Sequence, residues 1–305
     1  MTNFNEYKEI LEAKEVTIHH LLKYFKKNDL DFDEFGNIFV NFKKTTKKLP
    51  ILVAHTDNVL GDGKRIPAYS IDKKKIFCAN GTGIGFDDKA GIIGIIELWK
   101  NMPENSFRII FTADEEVGGI GASNLDESKL DEAAFIIELD RRGEKDIIQT
   151  SGCTRLCSDS FAKKWEALGF KRATGTFTDL NEFKTKKPKI EMCNLSIGYY
   201  NPHQKTEYLN VKEFEATIEK VKRFIAENKD MVFEDNDETI NYYNKKGRYN
   251  YSTLDGRRCE CCNRYYGSEW RHDVEMYLCK ECYEYYKDSI KEEEYEDDNG
   301  CIYKY

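Results

Sequence analysis

Short apolar runs recur along the first two thirds of the chain, and each breaks off at a histidine or a carboxylate. Residues 51–54 are followed by His55-Thr56-Asp57, residues 108–112 by Ala113-Asp114-Glu115-Glu116, residues 134–139 by Asp140, and residues 189–196 by a turn that reaches His203. Asp87-Asp88 opens a segment with Ala90, Ile92, Ile93, Ile95, Ile96, Leu98 and Trp99 on more than one face, the pattern of a buried helix. Runs this short, spaced by helical patterns, fit strands of a sheet covered on both faces. Further strands are expected at 38–42 and 146–150, and helices at 6–26, 161–168 and 211–225. The expected fold class is α/β, a mixed, largely parallel central sheet flanked by helices.

An open α/β sheet places its binding crevice outside the carboxyl ends of its strands. Singly, each of these strand ends is weak evidence. A lone histidine there is commonly structural, an acidic pair commonly opens a helix or a solvated turn, and Asp140 could begin the Asp140-Arg141-Arg142-Gly143 turn. Together they form a set of imidazoles and carboxylates suited to zinc or a similar divalent ion. Carboxylates can also bridge two ions, as in two-metal hydrolytic sites.

The charge is unevenly spread. Residues 230–305 hold 19 acidic against 11 basic side chains and 13 of the 19 tyrosines, whereas the rest of the chain is balanced. We therefore expect a main domain at 1–229, a polar linker or loose wrap at 230–256, a small module at 257–290 and an acidic tail at 291–305. No apolar run has the length of a membrane span, and residues 1–14 lack the apolar centre of a secretion signal. A cytoplasmic location is the expectation. A sequence pI near 5.4 disfavours nucleic acid as a partner.

In a reducing compartment, clustered cysteines bind metal more often than they form disulfides. Cys259 and Cys262, sixteen residues, then Cys279 and Cys282 give the spacing of a four-thiolate structural zinc site, a ribbon or treble clef. Cys261 is spare, and it or His272 could replace a ligand. A segment this short would draw much of its folding free energy from the metal, and its tyrosines form either a minimal core or a surface for a protein partner. Cys78, Cys153, Cys157, Cys193 and Cys301 lack ligand spacing and read as small buried hydrophobes.

In chain order, VAHTDNV at 53–59, GFDDKAG at 85–91, FTADEEVGG at 111–119, ELD at 138–140 and NPHQKTE at 201–207 resemble the motifs of the co-catalytic zinc exopeptidases. That clan includes bacterial zinc aminopeptidases, peptidase T-like tripeptidases and glutamate carboxypeptidases, and the resemblance spans roughly residues 5–229. It implies two catalytic zinc ions, with Co2+ or Mn2+ as substitutes. His55 would hold one ion and His203 the other, Asp87 would bridge them beside a cis Asp87–Asp88 peptide, and Glu116 and Asp140 would each complete one shell. It further implies Asp57 as the partner of the His55 ring and Glu115 as the general base, which takes a proton from the attacking water and passes it to the leaving amine.

Between Asp57 and Asp87 lie 29 residues and between Asp140 and His203 lie 62, too few for the lid and dimerisation domains of some clan members. The expected activity is hydrolysis of short peptides, with an aminopeptidase first. The alternatives are a carboxypeptidase or a deacylase acting on N-acyl amino acids or small amides, and more remotely a non-catalytic scaffold. The segment Gly175-Thr176-Phe177-Thr178-Asp179 is read either as part of a substrate pocket or as a helix N-cap by Thr178 or Asp179. Tyr199 and Tyr200 either line that pocket or are buried at a sheet edge.

Overall fold

In the computed structural model, the described residues are 2–42, 47–152, 154–228 and 230–235, together with the backbone of four short strands between 269 and 304. Two units divide between Tyr251 and Ser252.

The first unit runs α1 (Lys8–Glu12), α2 (Ile18–Leu21), β1 (Leu30–Phe32), β2 (Ile38–Val40), β3 (Leu49–His55), β4 (Pro67–Tyr69), β5 (Lys75–Cys78) and α3 (Phe86–Asn101). It continues through β6 (Arg108–Thr112), α4 (Ile120–Asn124), β7 (Ala133–Arg141), β8 (Asp146–Ser151), β9 (Thr154–Arg155), α5 (Asp159–Glu166) and β10 (Lys171–Gly175). Then follow α6 (Asp179–Lys186), β11 (Met192–Ser196), β12 (Tyr199–Tyr200), β13 (Tyr208–Asn210) and α7 (Val211–Asn228).

The main sheet has the order β1-β2-β6-β3-β7-β11-β8-β10, with β9 beside β8. Its centre is parallel, as expected: β6 and β7 flank β3, and β11 lies beside β7. Both faces are covered. Leu52, Ala54, Ile137 and Leu139 pack under α3, α5 and α7, while Ile51, Val53 and Ile136 face Ala122, Leu180 and Phe183 of α4 and α6. Period-2 strands with apolar residues on both faces are the reason the sequence shows runs and not alternation.

α3 comes closest to the sheet at Gly91. A Cβ there would stand 2.4 Å from the Leu139 carbonyl oxygen and 2.5 Å from Asp88 Oδ1. Gly91→Ala should therefore lower stability by about 2–3 kcal/mol, seen as a lower denaturant midpoint with an unchanged slope.

The single helix expected at 6–26 is corrected. A 3-10 turn (Phe4–Tyr7), α1 and α2 replace it, with an extended break between α1 and α2. The break has tertiary causes. The Lys89 ammonium donates to the Leu11 and Ala13 carbonyls, which a continuing helix would need, and the Val16 N–H donates to the Thr56 carbonyl at 2.9 Å. Thr17 then caps α2 in a reciprocal box with His20. At the other end of the unit, residues 231–235 add to its edge, with Ile190 bridged to Glu234 and Phe233 against Phe135 and Phe161.

A second sheet, β12-β13-β5-β4, is antiparallel and carries the 201–207 loop between β12 and β13. At the base of that loop Tyr200 and Tyr208 stack with centroids 5.1 Å apart.

In the second unit, β14 (Glu269–Arg271) pairs with β15 (Met276–Leu278) between the two cysteine pairs of the sequence, and β16 (Glu294–Glu296) pairs with β17 (Ile302–Lys304). Cys259, Cys261, Cys262, His272, Cys279 and Cys282 lie outside the described residues, as do Cys153 and Cys301. Cys78, Cys157 and Cys193 are buried free thiols.

Candidate metal centre

The sheet order assembles the site. Because β6, β3 and β7 are adjacent and parallel, their carboxyl ends deliver Asp114 to Glu116, His55 to Asp57, and Asp140 to one edge. The start of α3 brings Asp87, and the β12–β13 loop brings His203.

The contacts fall into two groups around Asp87. His55 Nε2 lies 3.0 Å from Asp87 Oδ1 and 3.7 Å from Asp140 Oδ1. His203 Nε2 lies 3.1 Å from Asp87 Oδ2 and 3.0 Å from Glu116 Oε1. Two ligands of one tetrahedral zinc, each about 2.0–2.1 Å from it, lie about 3.3 Å apart. Asp87 thus turns one oxygen toward each histidine. Ligand atoms of His55, Asp88 and Asp140 also cluster within 4.8 Å. We assign Asp88 a different task, because its carboxylate accepts the His55 and Gly91 amides at 3.2 and 2.9 Å. The Asp87–Asp88 peptide is cis.

Electrostatics agrees with this grouping. Burial works against a charged His55, but the carboxylates of Asp140, Asp57 and Asp87 beside its ring carry its pKa well above the usual value. The Asp87 and Glu116 carboxylates raise His203 to about 10. Asp87 is lowered despite its burial, chiefly by His203 and His55. Burial and then the neighbouring Asp87 push Asp140 up to about 7. So many acidic groups around two imidazoles call for positive charge, and buried Glu116 Oε1, although 3.0 Å from His203 Nε2, makes no aligned hydrogen bond among the described residues. The donor set suits a divalent metal ion, and ligand atoms of His55, Asp87 and Glu116 also lie within 4.8 Å of one another.

Asp57 does more than face a ring. His55 Nδ1 is 3.4 Å from Asp57 Oδ1 without forming an aligned hydrogen bond. The two Asp57 oxygens instead accept the Glu115 and Glu116 amides, both at 3.0 Å. Asp114, at a φ of +57°, makes the sharp turn that directs those amides to it. His55 and these amides hold Asp57 below the usual carboxylate range against its burial. Glu115 stands beside the ligands, its pKa raised well above the ordinary value by burial and, against the pull of His55, by Asp140 and Asp179.

Asn194 and Glu138 were not legible as neighbours of the site, and Tyr199, Tyr200 and Thr178 only as one of two alternatives. Tyr199 is buried, the sheet-edge alternative, and donates to Asp140 Oδ1 at 3.1 Å. The Tyr200 hydroxyl donates to Glu213 at 2.6 Å. Asn194 Oδ1 accepts the Asp140 amide at 3.0 Å. Thr178 occupies the N-cap position of α6 without capping it, and its hydroxyl goes to the buried Glu138. Glu138, a charge inside an apolar run, was the one signal available.

Asp179 is fully buried, and neither carboxylate oxygen has a hydrogen-bond partner among the described residues. Burial pushes its pKa up to about 7, with the Thr112 hydroxyl and His55 working the other way. That hydroxyl donates to the Ala54 carbonyl at 3.3 Å, so its help is limited. An unfolded aspartate titrates near 3.9. Between that value and about 7 the folded chain holds a proton that the unfolded chain has lost, so stability falls as pH rises through this window. Denaturant midpoints of the chelator-treated chain should decline from pH 4 to 8, and Asp179→Asn should flatten the decline. Equal slopes would remove Asp179 as its source.

Comparison with solved structures places this architecture. Aminopeptidase PepT from Bacillus cereus ATCC 10987 aligns with a TM-score of 0.57 and 17% identity over 73% of this chain and 97% of that one. The fold is that of solved aminopeptidases. A tripeptidase from Staphylococcus aureus aligns with a TM-score of 0.57 and 16% identity over 74% of this chain and 97% of that one. The Pyrococcus horikoshii TET1 peptidase, which can assemble into a tetrahedron or a large octahedral shell, gives 0.53 and 15% over 73% and 98%. No protein-family profile and no curated protein sequence matches the chain. Among the described residues, no helix is long and apolar enough to cross a membrane.

Proposed function

We propose that the chain is a two-metal exopeptidase that removes amino acids from the amino end of short peptides. The observation that carries this reading is the placement of Asp87 between His55 with Asp140 and His203 with Glu116. The likeness in fold to aminopeptidases and a tripeptidase supports the substrate class. Zinc is the ion we assign to both sites, and it would supply Lewis acidity toward a carbonyl oxygen and a water. Glu115 takes the proton of the attacking water and returns it to the departing amine. Asp57 keeps base and ligand in register, because it grips the amides of Glu115 and Glu116 together. The four-cysteine module belongs to the same proposal as a separate structural zinc site and a surface for a protein partner.

The deciding assay uses the zinc-loaded full chain on di- and tripeptides, aminoacyl amides, their N-acetylated forms and N-acyl amino acids. Release of the first residue from free-amino substrates, with acetylated ones inert, is the expected result. Turnover confined to N-acyl amino acids would establish the deacylase alternative, and turnover of none would overturn the reading.

A further inference from the structure

Glu207 closes the NPHQKTE segment, yet it has no part in the chemistry above. It is fully buried, and its carboxylate meets the backbone at the first turn of α3. Glu207 Oε2 accepts the Gly85 and Phe86 N–H groups at 2.6 and 2.8 Å, and Oε1 accepts the Asp87 N–H at 3.2 Å. The opening N–H groups of a helix have no partners within it, and an anion there is favoured by the helix dipole. Here the carboxyl group at that position comes from a loop 120 residues further along the chain.

Asp87 is gripped from its other side as well. The Asn58 side-chain amide donates to the Asp87 carbonyl at 3.0 Å, and it lies so close to Gly85, at a φ of +80°, that a Cβ there would stand 1.9 Å from Asn58 Nδ2. Glu207 itself is tied back by its N–H to the Gln204 carbonyl at 3.0 Å, inside the tight turn in which Asn201 and His203 both adopt positive φ. One side chain therefore joins the His203 loop to the peptide of the carboxylate that faces His203.

We infer that Glu207 is a positioning residue for the metal centre: it sets the separation of His203 and Asp87 and so the affinity for the ion they share. This rests on the proposed assignment of those two residues as ligands. An ordinary helix cap would affect folding alone. A positioning residue must change ion binding in a chain that still folds.

The test is a cobalt(II) titration of the full chain against a competing chelator. Cobalt is the probe because its spectrum separates imidazole–carboxylate from thiolate coordination. Glu207→Gln keeps the size of the side chain but offers one oxygen where two are used. Glu207→Ala leaves three amides beside a cavity of about 240 Å³, lined also by Lys75, Phe77, Lys205 and Tyr208, from which water can replace the carboxylate. Both variants should keep a cooperative thermal transition. Each should lose about 10–100-fold in affinity for one of the two imidazole–carboxylate ions, the range seen when the support of a ligand is removed. Glu207→Asp should fall between them and the unaltered chain. Affinity within twofold of the unaltered chain in a folded variant would overturn the inference, and so would unfolding of all three. If the unaltered chain binds two such ions but cleaves no peptide, the proposed activity fails and this inference stands. If it binds none, the ligand assignment itself has failed.

Discussion

Glu115→Gln should lower kcat about a thousandfold while leaving the metal content of the purified chain unchanged. The substitution preserves shape and removes only the capacity to accept a proton, and general-base assistance contributes about 10²–10⁴-fold. A thousandfold loss corresponds to about 4 kcal/mol of activation free energy. The backbone of residue 115 is fixed by Asp57 whatever its side chain, so the loop should hold its shape. KM should change little, because the base acts on the water and contributes nothing to holding the substrate. Pre-steady-state and steady-state assays on the same peptide, with metal analysis of the same sample, measure all three quantities. Undiminished turnover would strip Glu115 of its role and leave the hydrolytic reading without a proton carrier.

Removal of Asp87 should have a different signature. In Asp87→Ala both ions lose a ligand together, since Oδ1 faces His55 and Oδ2 faces His203. The affinity for each ion should fall by more than about 100-fold, beyond the effect of removing a supporting group, and activity should fall with occupancy. Stability of the metal-free chain should hardly suffer, because the start of α3 is secured through the backbone by Glu207 and Asn58 and does not depend on the Asp87 side chain. Cobalt titration of the variant shows the outcome directly. Loss of one ion with the other bound at full strength would show that Asp87 serves a single site. The two-metal arrangement would then have to be abandoned.

These two variants separate what the centre does from what it is built of. On the proposed reading the first should keep the ions and lose the proton transfer, and the second should lose the ions and keep the fold. Glu207 lies between them, since its loss should weaken one ion without removing any ligand.

The strands that carry the centre could be read from sequence because parallel strands buried on both faces must be apolar throughout, and only their ends can be ionisable. The run that became β6 was expected with the bounds it has, and those of β3, β7 and β8 within two residues. The ends of these runs pointed to His55, Asp140, His203 and the acidic pairs at 87–88 and 115–116 as candidates, and the resemblance to zinc exopeptidases implied which of each pair is a ligand. They are charges that apolar neighbours cannot explain. The small strands β4, β5, β12 and β13 escaped notice, since two to four residues with one exposed face give too short a pattern.

Tertiary structure alone decided the rest. No local rule could have ended α1 at Glu12, because the carbonyls that would continue it are claimed by Lys89 from α3. Nor could it have turned Thr178 from its helix cap toward Glu138, or revealed that Tyr199 reaches Asp140 and Glu207 reaches Asp87. The sequence by itself determined which residues can bind and ionise, because that chemistry is carried by each side chain. Which oxygen of Asp87 meets which histidine, and what holds it there, depended on bringing distant segments to 3.0 and 3.1 Å, and only the folded sheet order does that.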